Sequence, residues 1–172
     1  MLDIARQKAG RRKSGIRFLT GDAEDTREPA ASYDIIVTRH LVWTLVDPDT
    51  AFDHWFSLLK PDGILLIVDG DFVNTSLLQK LFKWLNRKFG QGHNPQGSQE
   101  MTDTHQSILS RVYFSKGAKA EQVTDMLHRT GFQDIFVQTN LSEIQKAQAA
   151  RMGFFKGLER TTQHRYIIRA TK

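Results

Sequence analysis

Two nearly unbroken apolar stretches stand out in a chain of otherwise mixed character. They are Tyr33-Asp34-Ile35-Ile36-Val37 and Ile64-Leu65-Leu66-Ile67-Val68, the second closed by Asp69. Short runs rich in β-branched residues predict strands buried on both faces, as in a parallel sheet covered by helices on either side. Between them Phe52, Trp55, Phe56 and Leu59 recur at i, i+3, i+4 and i+7. That spacing gives one stripe of a helix that starts at Asp47-Pro48 and packs on the sheet. Pro61-Asp62-Gly63 ends this helix and turns the chain into the next strand. Strand, loop, helix, turn and strand together make a βαβ unit.

The same reading extends in both directions. Upstream it predicts a short helix over residues 2–9 ending toward Gly10, a strand over 16–19 opened by Gly15, and a polar connection over 25–32. Downstream, Leu78, Leu81, Phe82, Leu85 and Phe89 stripe a helix over 77–89, followed by a polar, glycine-containing run over 90–103. A helix over 121–130 turns Val123, Met126 and Leu127 inward and is closed by Gly131. Ser142 is expected to cap a helix reaching to about 152, and strands are expected over 135–137 and 166–170. The whole chain, 1–172, reads as one domain, with 72–119 inserted over the edge that carries the site.

Composition narrows the function classes. A chain of 172 residues that is 40% hydrophobic is ordinary for a globular domain. No apolar run approaches the roughly 18 residues a membrane span needs, and no signal-peptide pattern opens the chain, so the expected compartment is the cytoplasm. Cysteine is absent, which excludes disulfides, thiolate nucleophiles and Cys-ligated zinc. The six histidines show no metal-binding spacing, and no metal site is expected. The net charge of +5 is spread along the chain, with Arg11-Arg12-Lys13 as its one tight cluster. Cations there suit the C-terminal end of the first helix, so nucleic acid is not an expected partner.

The candidate chemistry begins at Gly21-Asp22-Ala23-Glu24, between the expected strands 16–19 and 33–37. A carboxylate at a strand end can accept from an exocyclic amine, and the next backbone N–H can donate to a ring nitrogen. With Tyr33-Asp34-Ile35-Ile36-Val37, Leu59-Lys60-Pro61-Asp62-Gly63 and Ile64 to Asp69 in this order and spacing, the chain resembles the class I S-adenosylmethionine-dependent methyltransferases. The likeness is to the branch containing the ubiquinone and menaquinone methyltransferases. It runs from residue 1 to about 72 and continues more weakly through Gly131-Phe132-Gln133-Asp134 and the last strand.

The resemblance implies an α/β, Rossmann-like doubly wound fold, mostly parallel with an antiparallel C-terminal strand; the complete family sheet has the order 3-2-1-4-5-7-6. The family's glycine-rich turn and acidic ribose ligand would lie upstream of Met1. The chain is therefore expected to be an N-terminally truncated methyltransferase domain lacking its first two strands. That leaves an apolar sheet edge, which is expected either to self-associate or to re-pair strand 16–19 beside 33–37.

S-adenosyl-L-methionine is the implied cofactor. Asp22 would accept from its adenine amine, the Ala23 N–H would face the ring, Gly21 would allow close approach, and Arg39 would pass the methionine moiety. His40 is either the catalytic base or a hydrogen-bonded loop histidine. Trp43 either closes over the cofactor or plugs the core. The helix over 77–89 is a lid over an apolar acceptor, an interfacial helix on an anionic membrane surface, or a plain surface helix. The expected activity is methyl transfer to a small apolar or aromatic acceptor; the alternative is an inactive remnant serving as a binding or oligomerisation partner. With half the pocket's polar partners missing, this chain alone is expected to bind the cofactor poorly.

Overall fold

The fold is read from a computed structural model, which describes residues 2–71, 73, 84, 110–152, 157 and 164–172. The helix expected over 77–89 and the polar run over 90–103 lie outside the described residues, as does most of the expected insertion.

Helix α1, Leu2–Ala9, opens the chain and gives way to a 3-10 turn, Gly10–Gly15. Strand β1, Tyr33–Arg39, leads through a second 3-10 turn, Val42–Thr44, to α2, Pro48–Leu58. Strand β2, Leu59–Gly70, follows. Helix α3, Ala120–Thr130, strand β3, Gln133–Gln138, helix α4, Ser142–Ala149, and strand β4, Arg165–Thr171, complete the described elements.

The described strands form one sheet in the order β1-β2-β4-β3. β1 runs parallel to β2, while β4 is antiparallel to both β2 and β3. The βαβ unit forms because its helix has strong local signals. Asp47 caps it, accepting from the Thr50 N–H (3.1 Å) and hydroxyl (2.8 Å), and Pro48 stands where no N–H is needed. Its inward stripe, Ala51, Phe52, Trp55 and Leu58, is buried, with Phe52 and Trp55 edge to face at 5.4 Å. Gly131, at φ 110°, closes α3 in the left-handed conformation that a side chain would oppose.

Register separates the two faces of the sheet. One carries Thr38 from β1, Leu65, Ile67 and Asp69 from β2, and Tyr166, Ile168 and Ala170 from β4, all buried in the core that includes α2 and α3. The other carries Ile35, Val37 and Phe136, each more than half exposed, with Ile64, Leu66, Val68 and Ile167 partly covered.

Several expectations are corrected. Residues 16–19 form no strand, and β1 is an edge strand among the described residues rather than a strand re-paired with them. A lone segment cannot be a strand without a ladder partner, and here the segment is held by side chains instead. Glu28 accepts from Arg17 (2.6 Å) and from the Tyr33 hydroxyl (2.5 Å), pinning the irregular chain to the start of β1.

Pro61-Asp62-Gly63 is not a turn between two elements. It is a bulge inside β2, where the partners step from Tyr33↔Leu59 to Ile35↔Ile64 and Asp62 takes φ 62°. Leu59 thereby leaves the helix and begins the strand. Ser142 is the first residue of α4 rather than its side-chain cap; its N–H donates to Asn140 Oδ1 at 3.3 Å. The chain from 110 to 119 is described as turns and extended backbone leading into α3, with Val112, Phe114, Gly117 and Ala118 buried.

Candidate cofactor groove

Two loops meet beyond the C-terminal end of β1. Gly21, Asp22, Ala23 and Glu24 face Leu41, Thr44, Leu45 and Val46 across a groove of about 580 Å³. Nothing lies within 4 Å of where a Cβ on Gly21 would stand, so the backbone there borders open space that a ligand could enter. The Asp22 carboxylate is exposed, and its Oδ1 accepts from the Glu24 N–H at 3.0 Å, which fixes the turn.

Glu24 joins the two walls. Its Oε1 accepts from the N–H groups of Val46 (2.7 Å) and Asp47 (3.1 Å), tying the first loop to the start of α2. The Trp55 indole N–H donates to the Ala23 carbonyl at 2.8 Å, and the Thr26 N–H donates to His54 Nε2 at 3.0 Å. Three contacts from α2 and its cap therefore position a segment that has no secondary structure of its own.

The second wall is set by Asp69, at the C-terminal end of β2 and 1% exposed. Its Oδ2 accepts from the Leu41 (3.1 Å) and Val42 (2.8 Å) N–H groups, and its Oδ1 from Gly70 (2.8 Å). Burial pushes its carboxyl above the ordinary value, against the opposing pull of these backbone donors. Buried carboxylates of this kind hold loops by bonding N–H groups that a 3-10 turn leaves without intrahelical partners. The signal in the sequence was a lone acidic residue ending an apolar strand; its part in placing residues 41 and 42 was not legible there.

The structure brings Gly21, Asp22 and Ala23 together with residues 41–46, but Arg39 and His40 do not line this groove. Arg39 is the exposed last residue of β1, in register with Val68. His40 follows it half-buried, its N–H donating to the Val68 carbonyl at 3.0 Å and its φ at 54°, a conformation that side-chain-bearing residues seldom adopt. Trp43 is packed against the core. Among the described residues no cluster of three or more metal-ligating side chains occurs.

Residues 1–67 match the model of a methyltransferase domain family. A demethylmenaquinone methyltransferase from Deinococcus radiodurans is 35% identical over 69 residues, which cover 40% of this chain and 29% of that protein. By structure, phosphoethanolamine N-methyltransferase 2 of Haemonchus contortus, solved with phosphomonomethylethanolamine and S-adenosylhomocysteine, aligns over 100% of this chain. The TM-score is 0.62, the identity 18%, and the alignment covers 41% of that protein. A methyltransferase from Thermotoga maritima, described as a possible histamine N-methyltransferase, aligns over 94% of this chain and 66% of its own length, with a TM-score of 0.52 and 18% identity.

Over residues 1–67 the sequence is similar to a methyltransferase domain family, and the fold of the chain is similar to that of solved methyltransferases. The chain spans less than a third of the Deinococcus relative and under half of the Haemonchus enzyme.

Proposed function

We propose that this chain is part of a methyltransferase acting on a small molecule, and that residues 21–24 form the adenine side of its S-adenosylmethionine site. The observation that carries this is the groove: a Gly-Asp-Ala backbone facing open space, at the strand edge where doubly wound folds bind nucleotides. These residues suit the cofactor. Asp22 retains accepting capacity for an exocyclic amine, and the Ala23 segment is fixed through its carbonyl by Trp55.

When bound, S-adenosylmethionine supplies a methyl group already activated by its sulfonium. The chain's task is then alignment and exclusion of water. Asp69 and Glu24 hold the two loops at fixed separation, Arg39 leads the chain into the second of them, and His40 stands at the strand end as the group to take a proton from the acceptor. The apolar or aromatic character expected of the acceptor rested on the helix over 77–89 and belongs to this proposal only as far as that helix does.

Among the described residues β1 is an edge strand, and this favours a second role. An apolar cleft of about 310 Å³ runs along it, lined by Tyr33, Ile35, Val37 and Trp55 among others. A strand from a second copy would satisfy this edge, so self-association is part of the proposal, with an inactive binding partner as the reading if no cofactor enters the groove.

The test is an amide-resolved NMR titration of the chain with S-adenosylhomocysteine. Shifts at Gly21 to Glu24 and at Leu41 to Val46, abolished by Asp22→Ala, support the site. Shifts elsewhere, or shifts indifferent to that substitution, remove it.

A further inference from the structure

The Thr26 N–H is a fixed donor, and the atom it meets is His54 Nε2, 3.0 Å away on α2. A backbone amide cannot reverse its role, so that nitrogen must present its lone pair, and the ring proton sits on Nδ1. The Thr26 hydroxyl agrees with this. It stands 2.9 Å from the same nitrogen and accepts from the Glu28 N–H at 3.3 Å, which leaves its own proton to turn toward the ring. The contacts thus define both the tautomer and the charge of His54, which is neutral in this arrangement.

A proton on Nε2 would set two N–H groups against each other across 3.0 Å. The hydroxyl could turn and accept from the imidazolium, but the Thr26 amide would lose its acceptor and the chain would have to shift. The backbone after Thr26 is poised for such a shift. Arg27 holds φ 58°, a left-handed conformation that a side chain opposes, while its N–H donates to Asp25 Oδ1 at 3.2 Å. A strained turn is therefore held from α2 just beyond the groove wall at residues 21–24. The other ties to that wall, from the Trp55 indole to the Ala23 carbonyl and from Glu24 to the N–H groups of Val46 and Asp47, do not pass through this imidazole.

The ionisable groups on the elements around His54 are engaged elsewhere or exposed. On the loop, Asp25 bonds the Arg27 N–H, Glu28 bonds Arg17 and the Tyr33 hydroxyl, and Arg27 is exposed. On α2, Asp49 pairs with Arg129 at 3.4 Å and Asp53 is exposed. The bond to Thr26 is what a second proton on the ring breaks.

We propose that His54 is a positioning residue for the cofactor groove: neutral, it holds Thr26 and with it residues 21–24 in the arrangement that receives the ligand, and on gaining a proton it releases them. Acidification through the range in which an imidazole titrates, between about pH 5 and 8, then weakens cofactor binding. The loss of binding rests on residues 21–24 being the cofactor site, while the hold on the loop does not.

Amide-resolved NMR of the whole chain between about pH 8 and about pH 5.5, without and with S-adenosylhomocysteine, tests both. In the free chain the amides of Thr26 and of residues 22–25 should move together with the His54 ring signals. With ligand, affinity should fall about tenfold over that range. His54→Gln offers an amide oxygen, an acceptor that does not titrate, and should keep the Thr26 amide where neutral His54 has it and flatten the dependence of affinity on pH. His54→Ala should show the released loop at every pH. Loop amides that stay still through the range, or a response to pH that is undiminished in His54→Gln, would overturn the proposal.

Its failure is separable from that of the cofactor site. A loop that follows the His54 charge, in a chain that gives no ligand shifts at residues 21–24, would keep the hold and remove the cofactor reading. Ligand shifts at those residues, with a loop indifferent to His54, would keep the groove and remove the positioning role.

Discussion

The two faces of the sheet carry similar apolar side chains and different surroundings. Ile67 and Ile35 are both isoleucines in the same sheet, one wholly buried beneath the helices and the other 56% exposed. On the first face the sequence has both its strand and its cover, because α2 and α3 each present an apolar stripe. On the second, Ile35, Val37 and Phe136 have the character of a covered surface, yet no described helix covers them. Hydrophobicity in a strand states that burial is wanted; it does not state which segment provides it.

Breaking the buried face should have the largest effect. Ile67→Ala removes a side chain enclosed on all sides and should cost about 3 kcal/mol, whereas Ile35→Ala on the open face should cost under about 1 kcal/mol. Urea unfolding of the two variants measures the contrast directly, and equal losses would mean that the open face is covered in solution.

Next comes the clamp between the faces and the site. Asp69→Ala leaves three backbone N–H groups, those of Leu41, Val42 and Gly70, without their acceptor and should destabilise by about 2 kcal/mol. It should also scatter the amide signals of residues 41–46, which a purely global loss of stability would not single out.

Gly63→Ala should follow closely at about 1 to 2 kcal/mol, since a Cβ there would stand 2.8 Å from the Lys60 carbonyl oxygen inside the β2 bulge. The smallest effect is electrostatic. Glu28, through its bond to Tyr33, and Asp34 and Asp47, through theirs to Lys60 and Thr50, have carboxyls held below their ordinary values of 4.5, 3.8 and 3.8.

Depressed carboxyls stabilise the fold above those ordinary values and lose that contribution as pH falls below them. Asp69, raised by burial, works in the opposite sense: its contribution is greatest when protonated and declines as pH rises through its folded value. Glu28→Gln should therefore flatten the acid limb of a stability-versus-pH curve, and an unchanged limb would show that the bond to Tyr33 does not persist in solution.

These contrasts also mark what could be read from the sequence. Helix α2 was legible because a cap, a proline and a periodic stripe agree, and α3 because Gly131 ends its pattern. The strand over 16–19 was misread because apolar residues there satisfy a local pattern while the ladder partner that makes a strand is a property of the whole sheet.

The bulge at Pro61-Asp62-Gly63 was mistaken for a connection because turn residues mark a departure from regular backbone without saying whether the strand resumes on the same partner. At the site, Gly21 to Ala23 could be named from order and spacing. Asp69 and Glu24, which hold the loops, act on backbone groups 22 to 28 residues away and leave no periodic trace.

The proposed site stands or falls on residues 21–24 and 41–46 being two walls of one cofactor groove. Calorimetric titration of the 172-residue chain with S-adenosylmethionine, paired with Asp22→Ala, tests it most directly. Binding that Asp22→Ala weakens about tenfold is the expected result. No binding, or binding that the substitution leaves unchanged, would contradict it.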